Sequence, residues 1–418
     1  MNAIINHNEF ILRADLGMDC WWQEIAQQGN PHIQPLPNGE CQLTFFWRQA
    51  LDTNIKAVYI DVYSHTPHPA KNPTRFSKIP ATDIWLWQTI LPDNWLGSYV
   101  LVPVTEKDLA PLDPQDRRAW WVQMLNYNAV ADPLNLLPVQ NNATGVPLSQ
   151  LRLPGARLHP AWKQVQGCPS LVSEFEIKKI IWRSERLNNS RHVWSFSTAA
   201  DKNAGVPLVI ILDGNYWVKD KFVTEAIAWL TQSNQLQPAL YVLVDAINQH
   251  VRSEELCCNE NFWLAIQNEL LPKLAENHAV TDEPDKTLLV GQSYGGLAAV
   301  YAGLRFPQRF GLAISQSGSF WWPCMEAYGT TPPMGADGQL IEALKQAKYP
   351  RSRVKVFMEI GQYENAMQRS NRELAKLLLN RGHSVSFREF PGGHDRLCWG
   401  QGLLDGISYF FSIKNRNK

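Results

Sequence analysis

The chain has 418 residues, 45% apolar and 19% charged, enough to bury a sizeable core in two domains or in one large one with insertions. Its 39 Lys and Arg balance 39 Asp and Glu, so no overall field draws it to nucleic acid or an anionic membrane, and neither is expected as a partner. Seven cysteines without a C-x-x-C pair argue against a zinc site or a disulfide framework, and no metal site is expected. No apolar stretch of about 18 residues occurs and the N-terminus lacks a basic-then-apolar leader, so a cytoplasmic location is expected.

Between about residues 40 and 105, short aromatic-rich runs alternate apolar with polar: Cys41–Trp47, Ala57–Tyr63, Ile84–Ile90 and Ser98–Val104. Period-two alternation between turn-forming stretches predicts an antiparallel, sandwich-like all-β domain. Residues 106–172 are Pro-rich and loop-like, and read as a connection wrapped over the next domain. The expected division is an N-terminal domain over 1–150, a linker over 151–172 and a catalytic domain over 173–418. From Glu174 strands and helices alternate. A strand pair (177–184, 190–197) is followed by strands at 208–212, 239–244, 287–290, 312–315, 354–360 and 384–389, with helices at 222–233, 261–275, 296–304, 338–346, 366–381 and 397–411. That alternation predicts a doubly wound α/β sheet.

The apolar run Thr287–Val290 breaks into Gly291-Gln292-Ser293-Tyr294-Gly295 and resumes as a small-residue helix. This is the G-x-S-x-G nucleophile elbow in its strand–turn–helix context, with Ser293 as nucleophile. The Tyr294 N–H at the helix start is one candidate oxyanion donor, and the Asn215 N–H, after the turn Leu212-Asp213-Gly214, is the second. Base and acid should follow the serine in the order acid, then His. Only His383 and His394 come after the elbow. His383 opens a strand, whereas His394 lies in the glycine-rich loop Pro391-Gly392-Gly393-His394 before the last helix, and is the expected base. For the acid, Glu364 in the loop after the preceding strand is favoured. Glu359 within that strand stands next, and Asp395 is awkwardly placed beside its own neighbour.

Several stretches resemble the esterase D-like hydrolases: Leu212-Asp213-Gly214, Gly291–Gly296 and Ser315-Gln316-Ser317-Gly318-Ser319-Phe320-Trp321-Trp322. Asp245-Ala246-Ile247, Arg252–Leu256, Cys258-Asn259, Gly392–Asp395, Ala131–Asn135 and Ile181–Arg186 resemble, more specifically, the bacterial enterochelin (enterobactin) esterases across both domains. The resemblance implies an α/β-hydrolase domain behind an all-β sandwich-like domain. It also implies hydrolysis of the ferric complex of a cyclic trilactone of dihydroxybenzoyl-serine, a catecholate siderophore taken iron-loaded or iron-free, with no cofactor beyond the iron of the substrate. A trianionic ligand wrapped in aromatic rings suits arginines and tryptophans. The candidates are Arg183, Arg186, Arg252 and Arg396 with Trp217, Trp321, Trp322 and Trp399, drawn from the 17 tryptophans present. An alternative implied by the broader likeness is a feruloyl- or other aryl-acyl esterase with a carbohydrate-binding first domain. The first domain is further expected to cap the catalytic pocket, so that a chain starting near Leu171 would keep activity on small aryl esters.

Overall fold

The structure, a computed structural model, describes residues 9–142, 144–167, 176–200, 205–219, 221–323, 337–350 and 352–413. The chain divides into two compact units. One holds Met1–Arg157 together with Pro391–Cys398; the other holds Leu158–Phe390 and Trp399–Lys418.

Among its described residues the first unit carries nine strands: β1 (His32–Pro35), β2 (Glu40–Arg48), β3 (Ala57–Val62), β4 (Thr74–Arg75), β5 (Ser77–Lys78), β6 (Ile84–Pro92), β7 (Leu96–Val104), β8 (Gln140–Asn141) and β9 (Pro147–Arg152). They form antiparallel sheets in the orders β1-β2-β6-β5 and β4-β3-β7-β9-β8. The faces meet where Phe45 of β2 and Tyr99 of β7 pack edge to face at 5.1 Å. Each strand presents alternate residues to opposite sides. Val100, Val102 and Val104 of β7 therefore pack away from Tyr99, onto Trp120, Trp121 and Met124 of helix α2 (Arg117–Tyr127). On the other sheet Phe46 packs with Trp21 and Trp22 of α1 (Asp19–Gln28). The sandwich thus has a helix outside each sheet, and β2 and β7 are buried on both faces.

Residues 106–157 are structure of this unit rather than a wrapping connection: they contribute α2, β8 and β9, with β9 paired to β7. The Ala131–Asn135 stretch locks it internally. The buried Asp132 carboxylate accepts from the Tyr99 hydroxyl at 2.7 Å, from the Asn30 side chain and from the Leu134 N–H. Asn135 donates to the Tyr99 hydroxyl and to the Gln150 carbonyl. Residues 158–167 belong to the second unit and form α3 (Pro160–Gly167) where a linker was expected.

The second unit is one eight-stranded sheet of β10 (Lys178–Ser184), β11 (Asn189–Ser197), β12 (Leu208–Ile211), β13 (Leu240–Val244), β14 (Thr287–Gln292), β15 (Leu312–Gln316), β16 (Lys355–Gly361) and β17 (Ser384–Phe390). Their order is β10-β11-β13-β12-β14-β15-β16-β17, with β12 to β17 parallel and the β10–β11 hairpin antiparallel at one edge. Its helices after α3 are α4 (Gly214–Trp217), α5 (Lys221–Gln232), α6 (Gln249–Leu256), α7 (Glu260–Ala265), α8 (Leu271–Ala275), α9 (Tyr294–Arg305), α10 (Gln339–Lys345), α11 (Asn365–Asn380) and α12 (Arg396–Phe411).

Period two separates the faces of this sheet. Ala313, Val356 and Met358 join a core with residues of α7 through α11, whereas Ile314 and Phe357 lie against Gly406 of α12 on the other side. Gly400 of α12 packs in turn on Trp162 of α3 and Val223 of α5. Strands buried on both faces explain the uninterrupted apolar runs at 208–212 and 287–290. Among the described residues no helix is long and apolar enough to cross a membrane. Cys168 and Cys324 lie outside the described residues; Cys20, Cys41, Cys257, Cys258 and Cys398 are free thiols.

Candidate active site

Ser293 sits between β14 and α9 with φ 57° and ψ −120°, a conformation that L-residues rarely adopt. The glycines around it explain how the turn closes. A Cβ on Gly291 would fall 2.1 Å from the Gly295 carbonyl oxygen, and one on Gly296 would fall 2.7 Å from Ser315 Oγ, so neither can carry a side chain. At Gly295 the nearest atom to such a Cβ is 3.6 Å away; its need is to keep its own backbone free for Gly291. The Ser293 N–H donates to the Gln316 carbonyl, its carbonyl accepts from the Ser319 N–H, and its hydroxyl lies 3.2 Å from that of Ser319.

Tyr294 opens α9, so its N–H is among those that a helix leaves for a partner outside itself, at the positive end of the dipole. Asn215 stands one strand over, second in α4 and just past β12, which pairs with β14. The turn before it is forced by packing. A Cβ on Gly214 would meet the Leu243 carbonyl carbon at 2.4 Å, and Asp213 adopts φ 56°. Arg252 of α6 holds that turn: its guanidinium grips the Asp213 carboxylate through two bonds of 2.6 and 2.8 Å and reaches the Gln292 carbonyl at 3.2 Å. It thereby ties the Asn215 loop to the elbow and neutralises a carboxylate that would oppose nearby negative charge.

The two glutamates are both buried and differ in their partners. Glu359, 1% exposed, is enclosed by protein partners: Gln316 Nε2 donates to one oxygen at 2.5 Å, and Arg388 donates two bonds of 2.8 and 2.7 Å to the other. Gly402 leaves the room it occupies, since a Cβ there would fall 1.7 Å from Glu359 Oε1. Arg388 pairs also with Asp405, and Gln316 accepts in turn from Gln292, whose side chain accepts from Trp217 Nε1. This buried polar chain fastens the carboxyl ends of β14, β15, β16 and β17 together. Glu364 lies one turn beyond β16, at the start of α11, and accepts from the Gly361 N–H at 2.8 Å and the Ser317 hydroxyl at 2.6 Å. Trp399 Nε1 donates to that same hydroxyl, and Ser317 is itself held at φ 50°. Asp395 is committed elsewhere: it accepts from both the N–H and the hydroxyl of Ser98 and from the Leu397 N–H, while burial pushes its carboxyl up.

The candidate ligand-binding residues separate as well. Arg183 is the last residue but one of β10 and Arg186 lies in the β10–β11 turn, bonded to Asn261. They stand four strands from β14, roughly 19 Å at about 4.8 Å per strand, and are not brought to Ser293. Trp217, 1% exposed, offers no ring face to a ligand, and Trp399 is spent on Ser317. Trp321 packs 6.0 Å from the Tyr294 ring, beside the half-buried Trp322. Arg396 donates to the Asn141 carbonyl within the first unit, and His394, two residues before it, is fastened by its N–H to Ser64. The residues missed by sequence reasoning are polar linkers: Asp213, Gln292, Gln316, Ser317, Ser319, Ser64 and Ser98. Asp213 and Gln292 lie in the quoted turn and elbow, and Gln316, Ser317 and Ser319 in the Ser-Gln-Ser-Gly-Ser run that begins at the end of β15; no motif pointed to Ser64 or Ser98.

A serine at positive φ, raised between a central parallel strand and a helix, is a nucleophile elbow, and the second unit is an α/β hydrolase. An esterase family model matches residues 184–410, and a model described as "Enterochelin esterase, N-terminal" matches residues 42–162. The iron(III) enterobactin esterase of Dickeya dadantii is 35% identical, over 95% of this chain and 93% of the relative. That of Escherichia coli K12 is 38% identical, over 94% and 96%. The crystal structure of the Shigella flexneri enterobactin esterase, obtained in the presence of enterobactin, matches with a TM-score of 0.81 and 38% identity, covering 94% of this chain and 98% of that one. The chain belongs to the enterochelin (enterobactin) esterase family and is a carboxylic ester hydrolase.

Proposed function

We propose that this protein hydrolyses the ester bonds of the ferric enterobactin trilactone, and of related catecholate siderophores, to dihydroxybenzoyl-serine products in the cytoplasm, aiding release of the iron. The observation that carries this reading is that the family likeness runs through both units, since a hydrolase core alone would support ester hydrolysis and no particular ester. Three catecholates on one macrocycle form a preorganised hexadentate chelate. Cutting one ester releases that preorganisation and weakens the hold on iron.

In the mechanism, Ser293 Oγ attacks the ester carbonyl while His394 takes its proton, and the Tyr294 and Asn215 N–H groups receive the oxyanion. Collapse of the tetrahedral intermediate expels the seryl alkoxide, protonated by the imidazolium. Water, activated by the same imidazole, then frees the acyl group and restores Ser293. Glu364 orients the imidazole and stabilises its charged form, a role that its place between β16 and α11 favours, whereas Glu359 is already paired with Arg388. Trp321 and Trp322 supply aromatic surface and Arg396 supplies positive charge for the trianionic ligand, while the Arg252 charge is paired with Asp213. No cofactor is required, the iron being cargo of the substrate.

The test is chromatographic: ferric trilactone, iron-free trilactone and a simple aryl ester are each incubated with the enzyme and their products resolved. Loss of the ferric trilactone with appearance of dihydroxybenzoyl-serine species is expected. Turnover of the aryl ester alone would overturn the substrate assignment.

A further inference from the structure

The loop between the last strand and the last helix packs with residues distant in sequence. Pro391–Cys398 clusters with Met1–Arg157, although the chain on either side of it belongs to the second unit. The attachments are specific. The His394 N–H donates to Ser64 Oγ at 2.8 Å. Gly393 approaches so closely that a Cβ on it would fall 2.0 Å from Ser64 Cβ. Asp395, 2% exposed, accepts from the Ser98 N–H at 2.7 Å and the Ser98 hydroxyl at 3.1 Å, as well as from Leu397. Beyond it Cys398 Sγ donates to the Leu96 carbonyl at 3.0 Å. Residues from β7 and from the turn after β3 therefore fasten the backbone at His394, just before it and just after it.

A glycine-rich loop has little conformational preference of its own, so its course is set by what holds it. Displacing a reacting group by about 1 Å can cost on the order of a hundredfold in rate. Burying a carboxylate is costly unless hydrogen bonds satisfy it, and Asp395 meets that cost with bonds that anchor the loop. We infer that Ser64, Ser98 and Asp395 are positioning residues of the esterase: they set the backbone from which the His394 imidazole springs. This inference rests on the reading of His394 as the base.

Ser64 offers the cleanest test. It sits at φ 64°, in the left-handed region that glycine adopts most readily, so Ser64→Gly relaxes the backbone while removing the acceptor of the His394 N–H. A purely structural role predicts an unchanged kcat in the folded variant. Positioning predicts that kcat on a small aryl ester falls on the order of tenfold while KM stays within about twofold. The rate at which a fluorophosphonate labels Ser293 should fall in parallel, since that attack needs the same base. Asp395→Asn, which keeps the shape but only one oxygen acceptor, should show the same split.

Far-UV circular dichroism and thermal midpoints establish the folded fraction; if Asp395→Asn does not fold, Ser64→Gly decides alone. Values of kcat within about twofold of the parent in the folded variants, or a loss no greater than the unfolded fraction, would overturn the inference. His394→Ala separates the two layers of the argument. If it stays active, the base assignment fails and this inference with it. If it is inactive while Ser64→Gly and Asp395→Asn match the parent, only the positioning role falls.

Discussion

On the proposed mechanism a single hydroxyl, that of Ser293, separates catalysis from binding. Ser293→Ala removes the nucleophile without touching the glycine contacts that close the elbow, so turnover should fall by about 10⁴-fold or more. Affinity for the ferric siderophore, read from tryptophan quenching, should stay near the parent value. Comparable loss in His394→Ala is expected because triad members act as a unit; residual turnover within tenfold of the parent would mean the wrong nucleophile had been named. The two glutamates make the sharper comparison. Glu364→Gln should lower kcat by about 10³-fold with little change in melting temperature, because the imidazole would lose its orienting anion. Glu359→Gln should do the reverse. It takes the negative charge from a buried site bonded twice to Arg388 and should cost about 3 kcal/mol of stability, with Asp405 left to hold the guanidinium. Urea denaturation and steady-state kinetics on both variants decide the matter, and the opposite pattern would move the acid to Glu359.

Among the elements, the α6 clamp is the most exposed to test. Arg252 satisfies the Asp213 carboxylate beside the start of α9, so Arg252→Ala leaves an uncompensated negative charge next to the proposed oxyanion donors. A loss of about 10²-fold in kcat is expected on a neutral aryl ester too small to need an arginine; a change confined to KM for the siderophore would instead make Arg252 only a ligand contact. On β3, desolvation pushes the Asp61 carboxyl up to about 7. The unfolded chain titrates it near about 3.9, so the folded state binds the extra proton between those values. Its contribution to stability is fully present below about pH 4 and is lost as pH rises through about 7, with Asp132 and Asp395 shifted in the same direction by burial. Melting temperatures should therefore fall between about pH 5 and about pH 8, and Asp61→Asn should narrow that gap by raising the value at the higher pH. An unchanged gap would show that Asp61 does not carry the effect.

For the molecule as a whole, the division of the chain alters what truncation should do. With Met1–Arg157 removed, the 391–398 loop loses Ser64, Leu96, Ser98 and Asn141, the residues that hold it. Such a chain is expected to lose small-ester turnover along with siderophore hydrolysis, although Ser293 and Glu364 remain in it. The measurement is aryl-ester kinetics beside circular dichroism. Near-parental turnover from a folded truncation would show that the loop keeps its course unaided.

The sequence by itself determined what rests on local pattern. Gly291, Ser293 and Gly295 are legible because a strained strand-to-helix turn admits few residue types, and the strand–helix alternation is legible because periodicities of 2 and 3.6 are written along the chain; the tight contact at Gly296 appears only in the fold. The four strands Glu40–Arg48, Ala57–Val62, Ile84–Pro92 and Leu96–Val104 lie within two residues of the runs that predicted them. Tertiary structure alone decided the remainder. Helix α2 escaped notice because Trp120, Trp121 and Met124 make a short apolar stripe among prolines and arginines that only the facing valines of β7 turn into a core. Glu359 and Glu364 are the same residue type five positions apart, and they are told apart by Gln316, Arg388 and Gly402 from three other elements. Trp217 and Trp322 have identical chemistry, yet one is sealed by its surroundings and the other is half-buried. The attachment of the 391–398 loop to Ser64 and Ser98 spans some 300 residues of chain, as the 330 and 297 positions between its bonded pairs record. Contacts of that range leave no period in a sequence, because they depend on where folded surfaces meet and not on the spacing of neighbours.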